Sequence, residues 1–210
     1  MTYSVKEIYF TVQGEGVQTG LPAIFLRFSG CNLWSGLERD RETAICKFCD
    51  TDFVGTDGPR GGKFATAEAL VQNCLELWPT GKGQPWVVVT GGEPLLQLDP
   101  QLIQSFHKSG FKVAVETNGT IAAPAGIDWL CVSPKADTEI VQTTGNELKL
   151  VFPQDENHPE LFETLDFDNF MLQPKDDKFQ AENMKAAFEF CLKNPKWRLS
   201  LQTHKWIGVP

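Results

Sequence analysis

The strongest constraint on this chain is a recurring pattern, a short β-branched or apolar run that stops abruptly at a polar or glycine-rich cluster. Ala23 to Phe28, Trp86 to Thr90, Lys112 to Glu116, Trp129 to Ser133, Glu147 to Phe152, Asn169 to Gln173 and Trp197 to Leu201 all read this way. Helical patterns lie between several of them. Thr66 caps a helix through about Trp78, with Leu70, Cys74, Leu77 and Trp78 on one face. Asp99-Pro100 opens a second that Gly110 ends, and a third runs from about Gln180 to Leu192. Strands alternating with helices predict a parallel sheet. About seven strands fall short of the eight in a closed barrel of ~250 residues. The expected fold is α/β, an abbreviated open (β/α) barrel with a mainly parallel sheet, in a single domain over residues 1–210.

In such folds the ligand site lies at the C-terminal ends of the strands. The polar clusters that follow strands are the cysteine loop after Phe28, Gly91-Gly92-Glu93-Pro94, Glu116-Thr117-Asn118, Ser133-Pro134-Lys135 and Gln173-Pro174. The fold gathers them onto one rim. Upstream, Ile8 to Gly16 places glycines on both sides of Glu15, as either a ligand-contacting segment or a plain hairpin turn. Arg27 sits inside an apolar run, where an unpaired charge is costly, so it faces the surface or clamps an anion. Gly and Pro cluster between Val54 and Lys63, which reads as a mobile surface loop, and the partly apolar tail from Gln202 to Pro210 is expected to pack.

A net charge of −8 argues against nucleic-acid backbone binding as the main activity. No run approaches the ~18 apolar residues of a membrane helix. The opening MTYSVKEIYF lacks the basic start and apolar middle of a signal peptide, so a cytoplasmic protein is expected. Six cysteines in such a chain are not read as a disulfide framework. Cys74 and Cys191 fall in helical patterns and Cys131 in a strand, as small buried hydrophobes do. Cys31, Cys46 and Cys49 differ, because they share one polar loop with spacings of fourteen and two residues. Three thiolates leave one coordination position open. That suits an iron–sulfur cluster with an open iron, or a zinc ion whose fourth ligand is His107, His158, His204 or another cysteine.

Three cysteines after the first strand, with Phe48 between the last two and GGEP after the next strand, resemble the radical S-adenosylmethionine superfamily. The usual Cx3Cx2C spacing is here Cx14Cx2C, so residues 32–45 form an insertion in the cluster loop, as an extra helix or loop that offers a docking point for an electron donor. The strings VQGEG, LRFSGCN, CDT, VVVTGGEPLLQ, ETNGT, SPK, LQP and QTHKWIGVP, in that order along nearly the whole chain, resemble the 7-carboxy-7-deazaguanine synthase family. The resemblance implies a Mg²⁺-dependent lyase that converts 6-carboxy-5,6,7,8-tetrahydropterin to 7-carboxy-7-deazaguanine by radical ring contraction with loss of ammonia, on the route to queuosine.

By that resemblance Cys31, Cys46 and Cys49 hold a 4Fe–4S cluster and Thr51 a Mg²⁺ ion. Phe48, Cys49, Asp50, Gly92, Glu93, Ser133, Pro134, Lys135, Gln173, Pro174, Lys175 and Asp176 bind S-adenosylmethionine. Val12, Gln13, Gly14, Glu15, Arg27, Thr90, Glu116, Asn118 and Pro210 bind the pterin, with Arg27 on its carboxylate. No side chain is required as an acid or base, because the cofactors carry the hard chemistry. A homodimer and a flavodoxin or reductase as electron donor are further implications. Two rival readings are an activase of a glycyl radical enzyme and a zinc-stabilised binding module.

Overall fold

The computed structural model describes residues 2–81 and 83–210. The strands are β1 (Tyr3–Val12), β2 (Pro22–Phe28), β3 (Gly62–Phe64), β4 (Trp86–Thr90), β5 (Lys112–Thr117), β6 (Trp129–Val132), β7 (Thr144–Phe152), β8 (Asp166–Pro174) and β9 (Trp197–Leu199). The α-helices are α1 (Ala67–Leu75), α2 (Pro100–Lys108), α3 (Gln180–Lys193) and α4 (Thr203–Ile207). Among the described residues one sheet holds nine strands in the order β3-β1-β2-β4-β5-β6-β7-β8-β9. From β2 to β9 every neighbouring pair is parallel, which realises the seven expected strands as an open sheet. Two antiparallel strands, β1 and β3, extend the other edge.

The pattern reading missed β1 for a physical reason. A register irregularity between Val5 and Glu7 breaks the two-residue alternation, so Val5 and Lys6 are both buried. The helix starts follow their caps. Thr66 Oγ1 accepts the Ala69 N–H at 3.2 Å, and the Asp99 carboxylate accepts Leu102 N–H at 2.8 Å and the Tyr3 hydroxyl at 3.0 Å. Helix α1 stops at Leu75, short of Trp78, yet Leu77 and Trp78 still pack on the core.

Strand alternation divides the sheet into two environments. Ile24, Leu26, Phe28, Val87, Val89, Val113, Val115, Leu148 and Leu150 join the main core, which includes Leu70, Leu102, Phe106 and Ala187 of the helices. The other face begins with a small apolar cluster of Ala23, Val88 and Ala114, flanked by Phe25, Trp86 and Trp129. Two residues further along the strands on that face stand Arg27, Thr90, Glu116 and Cys131. Glu147 and Lys149 alternate with the core residue Leu148 in the same way. This face therefore turns from apolar to polar toward the C-terminal ends of the strands.

Two expectations are corrected. The Val54–Lys63 loop is held down rather than mobile. The buried Lys6 ammonium lies 2.9 Å from Val54 O and 2.8 Å from carboxylate oxygens of Asp52 and Asp57. Gly58 N–H donates back to Lys6 O at 3.0 Å, and a Cβ at Gly61 would come within 2.2 Å of that oxygen. A buried ammonium must be partnered, and this loop supplies the oxygens. The tail packs only in part. Thr203 and His204 turn toward the body, whereas Trp206 and Ile207 are 61% and 62% exposed, because a five-residue helix can bury only one side.

Candidate active site

Cys31, Cys46 and Cys49 line one cavity at the C-terminal rim, with Phe48, Gly91, Gly92, Ser133, Lys135, Gln173, Pro174, Lys175 and Asp176 around it. Leu33 N–H points at Cys31 Sγ from 3.4 Å. Burial pushes the Cys31 and Cys46 thiols up, while nearby N–H groups pull Cys31 the other way and the Lys135 ammonium does so for Cys46. Burial likewise pushes Lys135 down, against the Cys46 and Cys49 sulfurs beside it. Lys135 Nζ donates to Ser133 Oγ at 2.8 Å, so the SPK turn is internally braced. Among the described residues no three His, Cys, Asp or Glu side chains converge on a single-ion point. An iron–sulfur cluster bonds each thiolate to a different iron, so the donor set of three sulfurs on one cavity wall fits it.

The GGEP turn is locked against the start of the cysteine loop. Glu93 N–H donates to Gly30 O at 2.9 Å, and a Cβ at Gly92 would come within 1.9 Å of that oxygen and 3.0 Å of Cys31 Cβ. Gly92 borders the cavity, but the Glu93 side chain does not. Its carboxylate is fully buried and accepts from Thr117 Oγ1 at 2.7 Å, Asn118 N at 2.8 Å and Leu95 N at 2.9 Å. Burial raises this carboxyl, and the three donors pull it down. Pro134 also lies outside the cavity lining, with its carbonyl accepting from Asn157 at 3.4 Å.

A second cavity adjoins the first. Val12, Gln13, Gly14, Glu15, Arg27, Thr90, Glu116 and Pro210 line it, together with Tyr9, Phe25, His204 and Lys205. Of the expected pterin ligands only Asn118 is elsewhere. It borders the cysteine cavity, where its amide nitrogen donates to Asn32 at 2.9 Å. Asp50, Thr51, Glu15, Glu116 and Gln202 border both cavities, so the two share a boundary. Arg27 is neither surface-facing nor unpaired. Its Nε donates to Glu7 at 2.8 Å, its Nη2 to the Tyr9 hydroxyl at 3.0 Å and its Nη1 to Gly91 O at 3.4 Å, which leaves one further N–H on each terminal nitrogen of a side chain that lines the cavity.

Beneath the boundary sits a buried ion network. Lys149 Nζ lies 2.8 Å from both Glu15 Oε2 and Glu116 Oε2. Gln13 donates to Glu116 at 3.1 Å, and Gln202 to Glu15 at 2.8 Å. Burial acts to raise Glu15, but the Lys149 ammonium and the Gln202 amide outweigh it and hold the carboxyl at about 2. Glu147, two residues from Lys149, is instead raised by burial. The segment around Glu15 is thus a close-approach turn: a Cβ at Gly16, whose φ is +64°, would meet Glu147 Oε1 at 2.0 Å.

Lys149, Gln202 and Lys205 were given no site role from sequence, and His204 only that of a possible zinc ligand. Lys149 had a readable signal, since a charge alternating with apolar residues in ELKLVF is as costly as Arg27 in its own strand. The tail residues stood out only as part of the QTHKWIGVP string, because their positions depend on chain packing. Thr203 N–H and Oγ1 both donate to Gly14 O, at 2.9 and 3.0 Å. Lys205 bridges Asp50 at 2.9 Å and Asp176, and Thr11 Oγ1 donates to a Pro210 oxygen at 3.2 Å.

No protein-family model matches the chain. It is 61% identical over 210 residues to a 7-carboxy-7-deazaguanine synthase of Caulobacter vibrioides, covering 100% of both chains. It is 55% identical to the synthase of Burkholderia multivorans, again over 210 residues and 100% of both. The crystal structure of QueE from Escherichia coli is similar with a TM-score of 0.73 and 28% identity, over 96% of this chain and 94% of that one.

Proposed function

The chain belongs to the 7-carboxy-7-deazaguanine synthase family, and we propose that its two adjoining cavities divide the work of making 7-carboxy-7-deazaguanine from 6-carboxy-5,6,7,8-tetrahydropterin. The observation that carries this reading is the shared boundary at Asp50, Thr51, Glu15, Glu116 and Gln202. A cofactor held in one cavity and a substrate held in the other would have to lie close together, and a common wall brings the two cavities into contact.

In this reading Cys31, Cys46 and Cys49 hold a 4Fe–4S cluster, and the rim from Phe48 to Asp50, Gly92, Ser133, Lys135 and Gln173 to Asp176 holds S-adenosylmethionine. Bound there, these two cofactors supply the one-electron chemistry that opens the radical ring contraction with loss of ammonia. Thr51 would hold Mg²⁺ at the boundary through its neutral hydroxyl, and the ion would supply positive charge for the substrate carboxylate.

The protein's own contribution is binding and orientation. Arg27, already aimed by Glu7 and Tyr9, presents its remaining N–H groups to the pterin carboxylate. Gln13, Glu15 and Glu116 form one edge of the pocket, and Lys149 pairs with both carboxylates, whose remaining oxygen lone pairs are acceptors for the N–H groups of the heterocycle. Gly14 and Thr90 admit the flat ring, and His204 and Pro210 bound the far side. Glu93 acts behind the wall, bracing the turn that carries Gly92. The proposal extends to a homodimer, for which the exposed Trp206 and Ile207 offer apolar surface, to a flavodoxin-type electron donor and to a product used for deazapurine nucleosides such as queuosine.

Substrate binding tests the division directly. Replacing Arg27 by Lys removes the fork and is expected to raise the Kd of 6-carboxytetrahydropterin about tenfold or more, with little change for tetrahydropterin lacking the carboxylate. Equal losses for both ligands would contradict the carboxylate role.

A further inference from the structure

The long insertion between Cys31 and Cys46 carries one residue with an unusual set of partners. Arg41 lies in a short 3₁₀ helix, Glu38–Thr43. Its Nη1 donates to Lys47 O at 2.9 Å and Cys49 O at 3.1 Å, the backbone of the turn that presents two of the three thiols. Its Nε and Nη2 fork onto the Glu38 carboxylate, with the Nε contact at 2.7 Å. Its guanidinium also lies 4.0 Å over the ring of Trp34. Trp34 is buried, meets Phe53 edge-on at 5.6 Å and donates its indole N–H to Leu37 O at 3.2 Å. One planar cation thus ties the insertion, the aromatic wall of the cavity and the Cys46–Cys49 turn together. Lysine cannot reproduce this, because the fork, the stacking and the two carbonyl contacts use different edges of one rigid plane.

We propose that Arg41 is a positioning residue that sets Cys46 and Cys49 before any cluster is present, and that the insertion exists to deliver it. A short Cx3C segment fixes its thiols by chain closure alone. A fourteen-residue connection leaves more conformations to suppress, and the guanidinium supplies the missing constraint. Without it the Lys47 and Cys49 carbonyls lose their donor and the turn is free to open toward water. This inference rests on the reading of the three cysteines as cluster ligands, but its test does not.

The test is thiol alkylation of the full-length, cluster-free protein, read at each cysteine by mass spectrometry, with Cys191 as internal reference. In Arg41→Ala, Cys46 and Cys49 are expected to alkylate about tenfold faster relative to Cys191 than in the unaltered chain. Arg39→Ala, which alters an exposed neighbour, is expected to leave both rates unchanged. Unchanged Cys46 and Cys49 rates in Arg41→Ala overturn the proposal. If the buried Cys74 and Cys131 also become reactive, the variant has unfolded and Arg41→Lys decides. It keeps an aliphatic stem over Trp34, and equal Cys46 and Cys49 rates there overturn the proposal equally. A parallel reconstitution with iron and sulfide separates the two readings: failure of the unaltered chain to take up a cluster refutes the ligand assignment and leaves the alkylation result standing.

Discussion

Gly14 is the seat of His204: a Cβ at position 14 would fall 2.1 Å from His204 Nδ1 and 2.7 Å from its Cβ. The contact joins the first loop of the chain to its tail, and Thr203 bonds the same glycine's carbonyl twice. The second cavity is therefore closed on one side by residues nearly two hundred positions from those on the other.

Gly14→Ala must push His204 aside. The expected result is a rise in the KM for the pterin of about tenfold, since misplacement of one wall by an ångström is enough for that. Affinity for S-adenosylmethionine is expected to stay the same. A KM unchanged from that of the parent enzyme would show that His204 does not bound the substrate.

Lys149→Met leaves Glu15 and Glu116 without their shared cation. Removing one partner of a buried pair costs about 3–5 kcal/mol, to be read as a lower urea midpoint at pH 7. The pH dependence follows from the sign of the Glu15 displacement. Its carboxyl is held at about 2 in the folded chain against an ordinary value of 4.5, so its contribution is complete above pH 4.5. It is lost as the pH falls from 4.5 toward 2. The parent chain should lose stability across that window, and the variant should show a flatter acid limb.

Glu93→Ala tests whether this residue braces the rim or contacts the cofactor. Three donors lose a buried acceptor, so a loss of about 2–4 kcal/mol in unfolding free energy is expected. A variant of normal stability that had lost only S-adenosylmethionine affinity would place the carboxylate in the cavity after all.

Thr51→Ala removes the hydroxyl at the boundary of the two cavities. The Mg²⁺ concentration for half-maximal activity is expected to rise about tenfold, with the absorption of the reconstituted cluster intact. An identical Mg²⁺ response would exclude Thr51 as the ligand.

The parallel strands were legible because each is a short β-branched or apolar run followed by a polar stop, and the polar stops named the rim. Strand β1 was not legible, because the irregularity between Val5 and Glu7 erased its alternation. The Val54–Lys63 loop looked mobile from its glycines, although Gly58 and Gly61 are there to let the chain approach Lys6. The glycine content was read correctly and its consequence inverted. Arg27 and the cysteines stood out locally, by charge in an apolar run and by spacing. Glu93 matched a motif but faces inward, since sequence identity does not fix side-chain direction. Gln202, His204 and Lys205 acquire partners only when the tail folds back onto Gly14, Asp50 and Asp176, and no local pattern announces that contact.

Anaerobic turnover of the reconstituted protein with S-adenosylmethionine, a reductant, Mg²⁺ and 6-carboxy-5,6,7,8-tetrahydropterin, with products read by mass spectrometry, decides whether the two cavities work together. The expected product is 7-carboxy-7-deazaguanine, formed without stoichiometric consumption of S-adenosylmethionine. Accumulation of 5′-deoxyadenosine with no deazaguanine would leave the cysteine cavity as a radical source and contradict the assignment of the pterin to the cavity beside it.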